Sequence, residues 1–365
     1  MSMSWFTFQP NEIRVMTASS SSQPAGVGFS QKSPNTSARV TTLEQATEDF
    51  NEFLFILFQS YLPQYASHPL HIAAESYGGR WGPAFIDKIV SLQRADSRRA
   101  ILNPVKSLIL VNAVIGSLGG YLTTGKYEFG CTPTGQATKL GLGYNETACA
   151  AIAEAGPSCE VYAELCERTS DLTLCAANSE YCWDHISPWV EIPDRNPYNI
   201  EQPCSNPEDL CLKELTAAQK YYNLPWVQQG LGFQDFNYAA LNRDLSADFA
   251  KSLAVTQSVL PLVVNILDHT DIKILFLNGH LDSLTVTPGQ QRIVDNIRWK
   301  GQLDYRQKEF QDWFYVNTSG HKVLGGQLKG SGKLKFVAFE GAGHMVPGDQ
   351  PQAASYILED WLRGF

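Results

Sequence analysis

Leu70-His71-Ile72-Ala73-Ala74-Glu75-Ser76-Tyr77-Gly78-Gly79 is the stretch from which the rest of the chain can be read. A short apolar run, Leu70 to Ala74, leads into a serine set among small residues. That pattern predicts a strand, a turn too sharp for bulky neighbours, and then a helix, with the Ser76 hydroxyl held clear of the sheet. Serine and glycine are common residues, so Ser76 taken alone reads equally well as a turn or capping residue.

Two distant segments change that balance. Ile274-Leu275-Phe276-Leu277-Asn278-Gly279-His280-Leu281-Asp282 and Leu334-Lys335-Phe336-Val337-Ala338-Phe339, followed by Gly341 to Pro351, are also apolar runs that end in polar residues. Ser76, Asp282 and His344 therefore each follow a predicted strand, in the order Ser, Asp, His. That order is the one used on α/β-hydrolase sheets. A serine hydroxyl is a poor nucleophile until a base takes its proton. His344 is the candidate base, and Asp282 would orient the imidazole and stabilise its charged form. His280 is the second candidate base, although its place beside Asp282 suits a strand-end loop. His68, His71, His185, His269 and His321 read as ordinary structural histidines.

Glu75 adds a second chemical clue. A carboxylate beside the nucleophile opposes negative charge there unless it shares a proton with an acidic group of the substrate. Glu75 is then either a protonated partner for a free substrate carboxylate, in an enzyme working at acidic pH, or a structural hydrogen-bonding group inside the turn.

Composition narrows the remaining possibilities. The 365 residues are 44% hydrophobic, enough for a large core, and carry a formal net charge of −9. No basic patch is visible, so no nucleic-acid partner is expected. No apolar run reaches the roughly 18–20 residues of a membrane span. All eight cysteines lie between Cys131 and Cys211. An even number in one stretch predicts a local disulfide framework. With no paired C-x-x-C and only His185 in that stretch, neither a metal site nor a cofactor is expected. Sequons at Asn35, Asn145 and Asn317 also point to an oxidising, secretory compartment, vacuolar or extracellular. Met1 to Pro10 has neither the basic nor the apolar region of a signal peptide.

Along the chain, Thr42 to Tyr61 reads as an amphipathic helix capped by Thr42, with Phe50, Phe53, Leu54, Leu57 and Phe58 on one face. A helix from about Gly82 to Arg94 and a buried strand from Leu108 to Ile115 follow. Strands alternating with helices imply a mostly parallel sheet flanked by helices. From about Tyr121 to Asp244 cysteines, turn residues and aromatics replace strand signals. The expected organisation is a non-family segment over 1–22, a hydrolase core over 23–120 and 245–365, and a disulfide-rich insertion over 121–244. The insertion would cap the carboxyl ends of the strands. Ser246 to Asp268 reads as helical.

The quoted motifs resemble those of the serine carboxypeptidases. They are Q-P-A-G-V-G-F-S at Gln23–Ser30, A-E-S-Y-G-G at Ala74–Gly79, N-G-H-L-D at Asn278–Asp282 and G-H-M-V-P-G-D-Q-P at Gly343–Pro351. The resemblance runs from about Gln23 to the C-terminus. It implies an α/β-hydrolase fold with a helical insertion, and release of C-terminal residues from peptides through an acyl-enzyme on Ser76. It carries over Asp282 and His344 as partners of Ser76, the Tyr77 N–H as an oxyanion donor, and Glu75 and Met345 as contacts of the leaving residue. It also implies the pairs Cys131–Cys149, Cys159–Cys182, Cys166–Cys175 and Cys204–Cys211, one of 105 connectivities open to eight cysteines.

The chain departs from the family pattern in two places. Ala74 replaces the first glycine of the turn. The glycine-rich W-x-N-G-G-P-G-C-S-S segment, which in the family supplies the second oxyanion donor and part of the carboxylate grip, has no counterpart upstream of Gln23. Losing one oxyanion donor lowers rate on the order of 10²–10³. The missing strands would leave a gap beside the Ser76 strand. The expectation is a shortened or mis-spliced secretory relative, with Met1–Ser22 foreign to the fold. Two alternatives stand beside a peptidase: an esterase or acyltransferase on the same scaffold, and a catalytically silent homologue.

Overall fold

The computed structural model describes residues 24–30, 39–117, 119–233, 236–251 and 256–364. Met1–Ser22, the candidate strand Ile13–Thr17 and the sequon at Asn35 lie outside them. Six strands form the main sheet: β1 (Leu70–Glu75), β2 (Val105–Val111), β5 (Lys273–Gly279), β6 (Gln311–Val316), β7 (Lys322–Ser331) and β8 (Leu334–Phe339), in the order β1-β2-β5-β8-β7-β6. The first four in that order run parallel, and β7 and β6 continue the sheet antiparallel. The central strands are almost entirely buried because helices cover both faces, and their sequences are accordingly continuous apolar runs.

Side-chain alternation assigns the faces. Leu108, Leu110, Ile274, Phe276, Leu334 and Phe336 pack with Phe85, Ile86 and Ile89 of helix α2 (Gly78–Arg94) and with helix α1 (Leu43–Ile56). Ile109, Val111, Leu275, Leu277, Val337 and Phe339 pack with Ile357, Leu358 and Trp361 of the C-terminal helix Pro351–Arg363. On β1 Ile72 and Ala74 are buried in the first cluster, half-buried Leu70 packs against it, and Ala73 is exposed. Among the described residues no strand pairs with the outer edge of β1.

Several boundaries differ from expectation for local reasons. The Thr42 hydroxyl caps α1 in a reciprocal box with Gln45, but the regular helix ends at Ile56 and Leu57–Tyr61 widens into a broader turn. Helix α2 begins at Gly78, immediately after the turn, and not at Gly82. Strand β2 stops at Val111, because Asn112 takes a left-handed conformation with φ of 40°. The segment Ser246–Asp268 contains parts of two helices, Arg243–Lys251 and Leu260–His269.

Between β2 and β5 lies a largely helical region that includes helix α3 (Tyr121–Gly130), Glu146–Thr169 and Leu172–Ile186. It also holds a small hairpin, β3 (Arg195–Asn196) and β4 (Asn199–Pro203), where no strand was expected. Disulfides join Cys131–Cys149, Cys159–Cys182, Cys166–Cys175 and Cys204–Cys211. No described helix is long and apolar enough to cross a membrane.

Candidate active site

Ser76 sits at the carboxyl end of β1 with φ of 58°, the strained left-handed geometry of a sharp strand-to-helix turn. Its N–H donates to Val111 O at 2.9 Å, and its carbonyl accepts from Gly79 N and Val114 N, both at 2.9 Å. The turn is thereby tied to the loop after β2 on both sides. Fully buried Arg80 reinforces that loop, donating to Ile115 O at 3.1 Å and to Gly116 O at 2.7 Å. Ala74 is accommodated because Gly82 faces it; a Cβ at position 82 would come within 3.2 Å of the Ala74 methyl. The Tyr77 N–H, at the open start of α2, makes no hydrogen bond with described residues.

Asp282 and His344 arrive from the ends of β5 and β8. His344 Nδ1 lies 2.6 Å from Asp282 Oδ2, with both side chains buried. The Asp282 carboxylate accepts five hydrogen bonds. Leu284 N and Thr285 N reach Oδ1 at 2.7 and 3.1 Å; Asn112 Nδ2 at 2.7 Å, the Thr285 hydroxyl and the imidazole reach Oδ2. Burial alone would raise the Asp282 pKa, but His344 and these donors outweigh it, so the carboxyl is held below its ordinary value. Burial pulls the His344 pKa down, yet the charge and hydrogen bond of Asp282, aided by Glu75, leave it raised. His344 Nε2 is buried without a hydrogen-bond partner among the described residues. The structure shows no hydrogen bond between it and Ser76, a contact that in free enzymes often closes only with substrate.

Glu75 is 4% exposed. Burial pushes its pKa up to about 7, against the pull of His344. Met345 is half-buried and directly precedes the short helix Val346–Asp349. His280 points elsewhere, toward Glu340 at 3.8 Å. Asn145 and Asn317 occupy surface positions, as a helix cap and in a turn, where their side-chain oxygens accept backbone N–H groups. Among the described residues no group of three or more His, Cys, Asp or Glu side chains is placed to hold a metal ion.

Four residues escaped sequence reasoning. Asn112 donates to Asp282 and accepts from Gly279 N at 3.1 Å, so it bridges the ends of β2 and β5. Its signal was an asparagine directly after a buried strand, a type that tolerates left-handed backbone. Thr285 gives Asp282 both a hydroxyl and an N–H. Tyr198, in the hairpin loop of the helical region, accepts from His344 N at 2.6 Å and sets its ring edge-on to the imidazole, centroids 5.0 Å apart. Asp349 accepts from Gly343 N at 2.7 Å and from Asn199 Nδ2 at 3.0 Å, closing the His344 loop. The hairpin loop also holds the Asp282 loop. Ser283 donates to Pro197 O from its N–H at 3.0 Å and from its hydroxyl at 2.9 Å, while Ile200 N reaches Leu281 O at 3.0 Å. No sequence periodicity announces that clamp.

Comparison with known proteins agrees with this fold. The carboxypeptidase Y homolog A of Leptosphaeria maculans is 29% identical over 346 residues, covering 94% of this chain and 59% of that protein. The homolog A of Phaeosphaeria nodorum is 27% identical with the same coverage. The chain thus spans 59% of the length of these relatives. Among solved structures, the Kex1ΔP prohormone-processing carboxypeptidase of Saccharomyces cerevisiae aligns with a TM-score of 0.72 at 19% identity, covering 94% of this chain and 73% of that one. This is a likeness of fold. The family model described as serine carboxypeptidase matches residues 22–364, and the chain belongs to that family.

Proposed function

We propose that this chain is a serine-type carboxypeptidase that removes C-terminal residues from peptides through an acyl-enzyme on Ser76. The observation that carries it is the buried Asp282–His344 pair, 2.6 Å apart, at the same carboxyl end of the parallel strands as the strained Ser76 turn. In the first half-reaction the Ser76 hydroxyl oxygen attacks the last peptide carbonyl and its proton passes to His344 Nε2. The tetrahedral intermediate collapses to the ester, and His344 returns the proton to the departing amino group. Water, deprotonated by the same imidazole, then hydrolyses the ester. Asp282 keeps Nδ1 protonated and aimed, and the Tyr77 N–H donates to the oxyanion.

Protonated Glu75 shares its proton with the C-terminal carboxylate of the substrate, with Met345 beside the leaving side chain. A pKa near 7 keeps that proton in place under acidic conditions, so kcat/KM falls as Glu75 ionises above about pH 7. The insertion caps the site, and the four disulfides favour an oxidising, secretory or vacuolar setting.

The test is direct. A fluorophosphonate probe labels Ser76 in the wild-type chain, and His344→Ala abolishes the labelling. A blocked dipeptide with a free C-terminus is hydrolysed, while its C-terminal amide is not. Equal turnover of the acid and amide forms replaces the peptidase with an esterase of the same scaffold, and folded protein without labelling refutes the nucleophile.

A further inference from the structure

The left-handed backbone of Ser76, with φ of 58°, is held through its carbonyl, which accepts from Gly79 N and Val114 N. A non-glycine residue stays in that region only while its surroundings over-determine it. Val114 opens the segment Val114–Ser117, and two charged side chains from different elements grip that segment. Fully buried Arg80 of α2 takes the Ile115 and Gly116 carbonyls. Glu167, on the helix Glu146–Thr169 of the disulfide-tied region, accepts from Ser117 N at 3.3 Å. A Cβ at Gly116 would lie 3.1 Å from Glu167 Oε1, so the carboxyl rests directly on the backbone there. Arg80 and Glu167 are also within electrostatic reach of each other.

A second bond from the same region meets Ser117. Its hydroxyl donates to Asn178 Oδ1 at 2.5 Å, and the Asn178 amide donates to Cys159 O at 2.9 Å. Asn178 is buried on the helix Leu172–Ile186, between Cys175 and Cys182, and Glu167 directly follows Cys166. The nested disulfides Cys159–Cys182 and Cys166–Cys175 thus tie the two helices at the spacing that lets both side chains reach Ser117. On the α2 side, a Cβ at Gly79 would lie 2.7 Å from both Val114 N and Val114 O, so the segment has no slack there. A shift at Ser117 is therefore passed along the backbone to Val114 and on to the Ser76 carbonyl. We propose that Glu167 is a positioning residue: acting through Ser117 and Val114, it sets the Ser76 turn in the geometry from which the hydroxyl attacks. This rests on the reading of Ser76 as the nucleophile.

Two variants separate reach from charge. Glu167→Gln keeps an oxygen within reach of Ser117 N and removes the charge, whereas Glu167→Asp keeps the charge and withdraws the oxygen by one methylene. Glu167 is half-buried, so neither change opens a core cavity. Turnover of a blocked dipeptide is measured per Ser76 labelled by a fluorophosphonate, so unfolded chains are not counted. Glu167→Asp is expected to lower kcat about tenfold with KM nearly unchanged, and Glu167→Gln to stay within about twofold of wild type. A loss below about threefold in Glu167→Asp, a change confined to KM, or equal losses in both variants overturns the proposal. Hydrogen exchange at the Val114 amide is followed in the same proteins, and is expected to accelerate in Glu167→Asp but not in Glu167→Gln. Folded protein without labelling or turnover refutes the nucleophile, and the exchange arm still judges Glu167: faster exchange in Glu167→Asp alone supports its hold on the turn, and equal exchange overturns it.

Discussion

Glu75 is a buried carboxyl beside the candidate nucleophile, with a pKa moved from 4.5 to about 7. A raised pKa means that the folded chain holds this proton more tightly than the unfolded chain. The resulting stabilisation is full below about pH 4.5 and is lost as pH rises through about 7. Thermal unfolding of wild type is therefore expected to show Tm falling across that window. In Glu75→Gln, which keeps the hydrogen-bonding shape without the charge, the fall is shallower and Tm above pH 7 is higher than in wild type. Equal slopes in the two proteins would mean that Glu75 ionises normally. Asn112 is the other residue where chemistry and fold meet, because its amide fixes Asp282 from the end of a different strand. The sequence shows Asn112 only as a polar residue after an apolar run. Its role depends on a left-handed backbone and a long-range partner, which no local pattern encodes.

At the scale of elements, the site is built from three strand ends and one hairpin loop. The strand ends were legible: Ser76, Asp282 and His344 each follow an apolar run, and those runs become β1, β5 and β8. The hairpin loop was not, because β3 and β4 are short, mostly polar and, among the described residues, form a two-stranded sheet of their own. Its fit against the His344 loop is tight enough to test. A Cβ at Gly343 would lie 2.1 Å from Tyr198 O and 2.7 Å from the Asn199 Cβ, so backbone must move to admit it. Gly343→Ala is expected to cost about 1–3 kcal/mol in chemical denaturation. It should also lower kcat at least tenfold through loss of the His344 N–H to Tyr198 O bond. Unchanged kinetics would show that the hairpin merely touches the loop.

Across the whole molecule, cohesion is greatest at the middle of the sheet and falls toward its edges, β1 among them. Phe336 is fully buried on a strand covered on both faces, whereas Ala73 on β1 is open to solvent. Phe336→Ala is expected to lower the unfolding free energy by about 3–5 kcal/mol. Ala73→Ser should stay within about 0.5 kcal/mol, both read by urea titration. A large effect at Ala73 would mean that its surface is covered in solution. The parallel core was readable because buried strands need continuous apolar sequence. That no described strand pairs with the outer edge of β1 was expected only from comparison with the family pattern. The hairpin clamp also carries a consequence for biosynthesis. Tyr198 and His344 come from distant parts of the chain, and the His344 loop follows the disulfide-tied region in order of synthesis. The groups proposed to activate Ser76 are thus brought together only after the disulfide-tied region and strands β5 and β8 have folded, so a chain that has not yet closed that clamp is inert toward its neighbours.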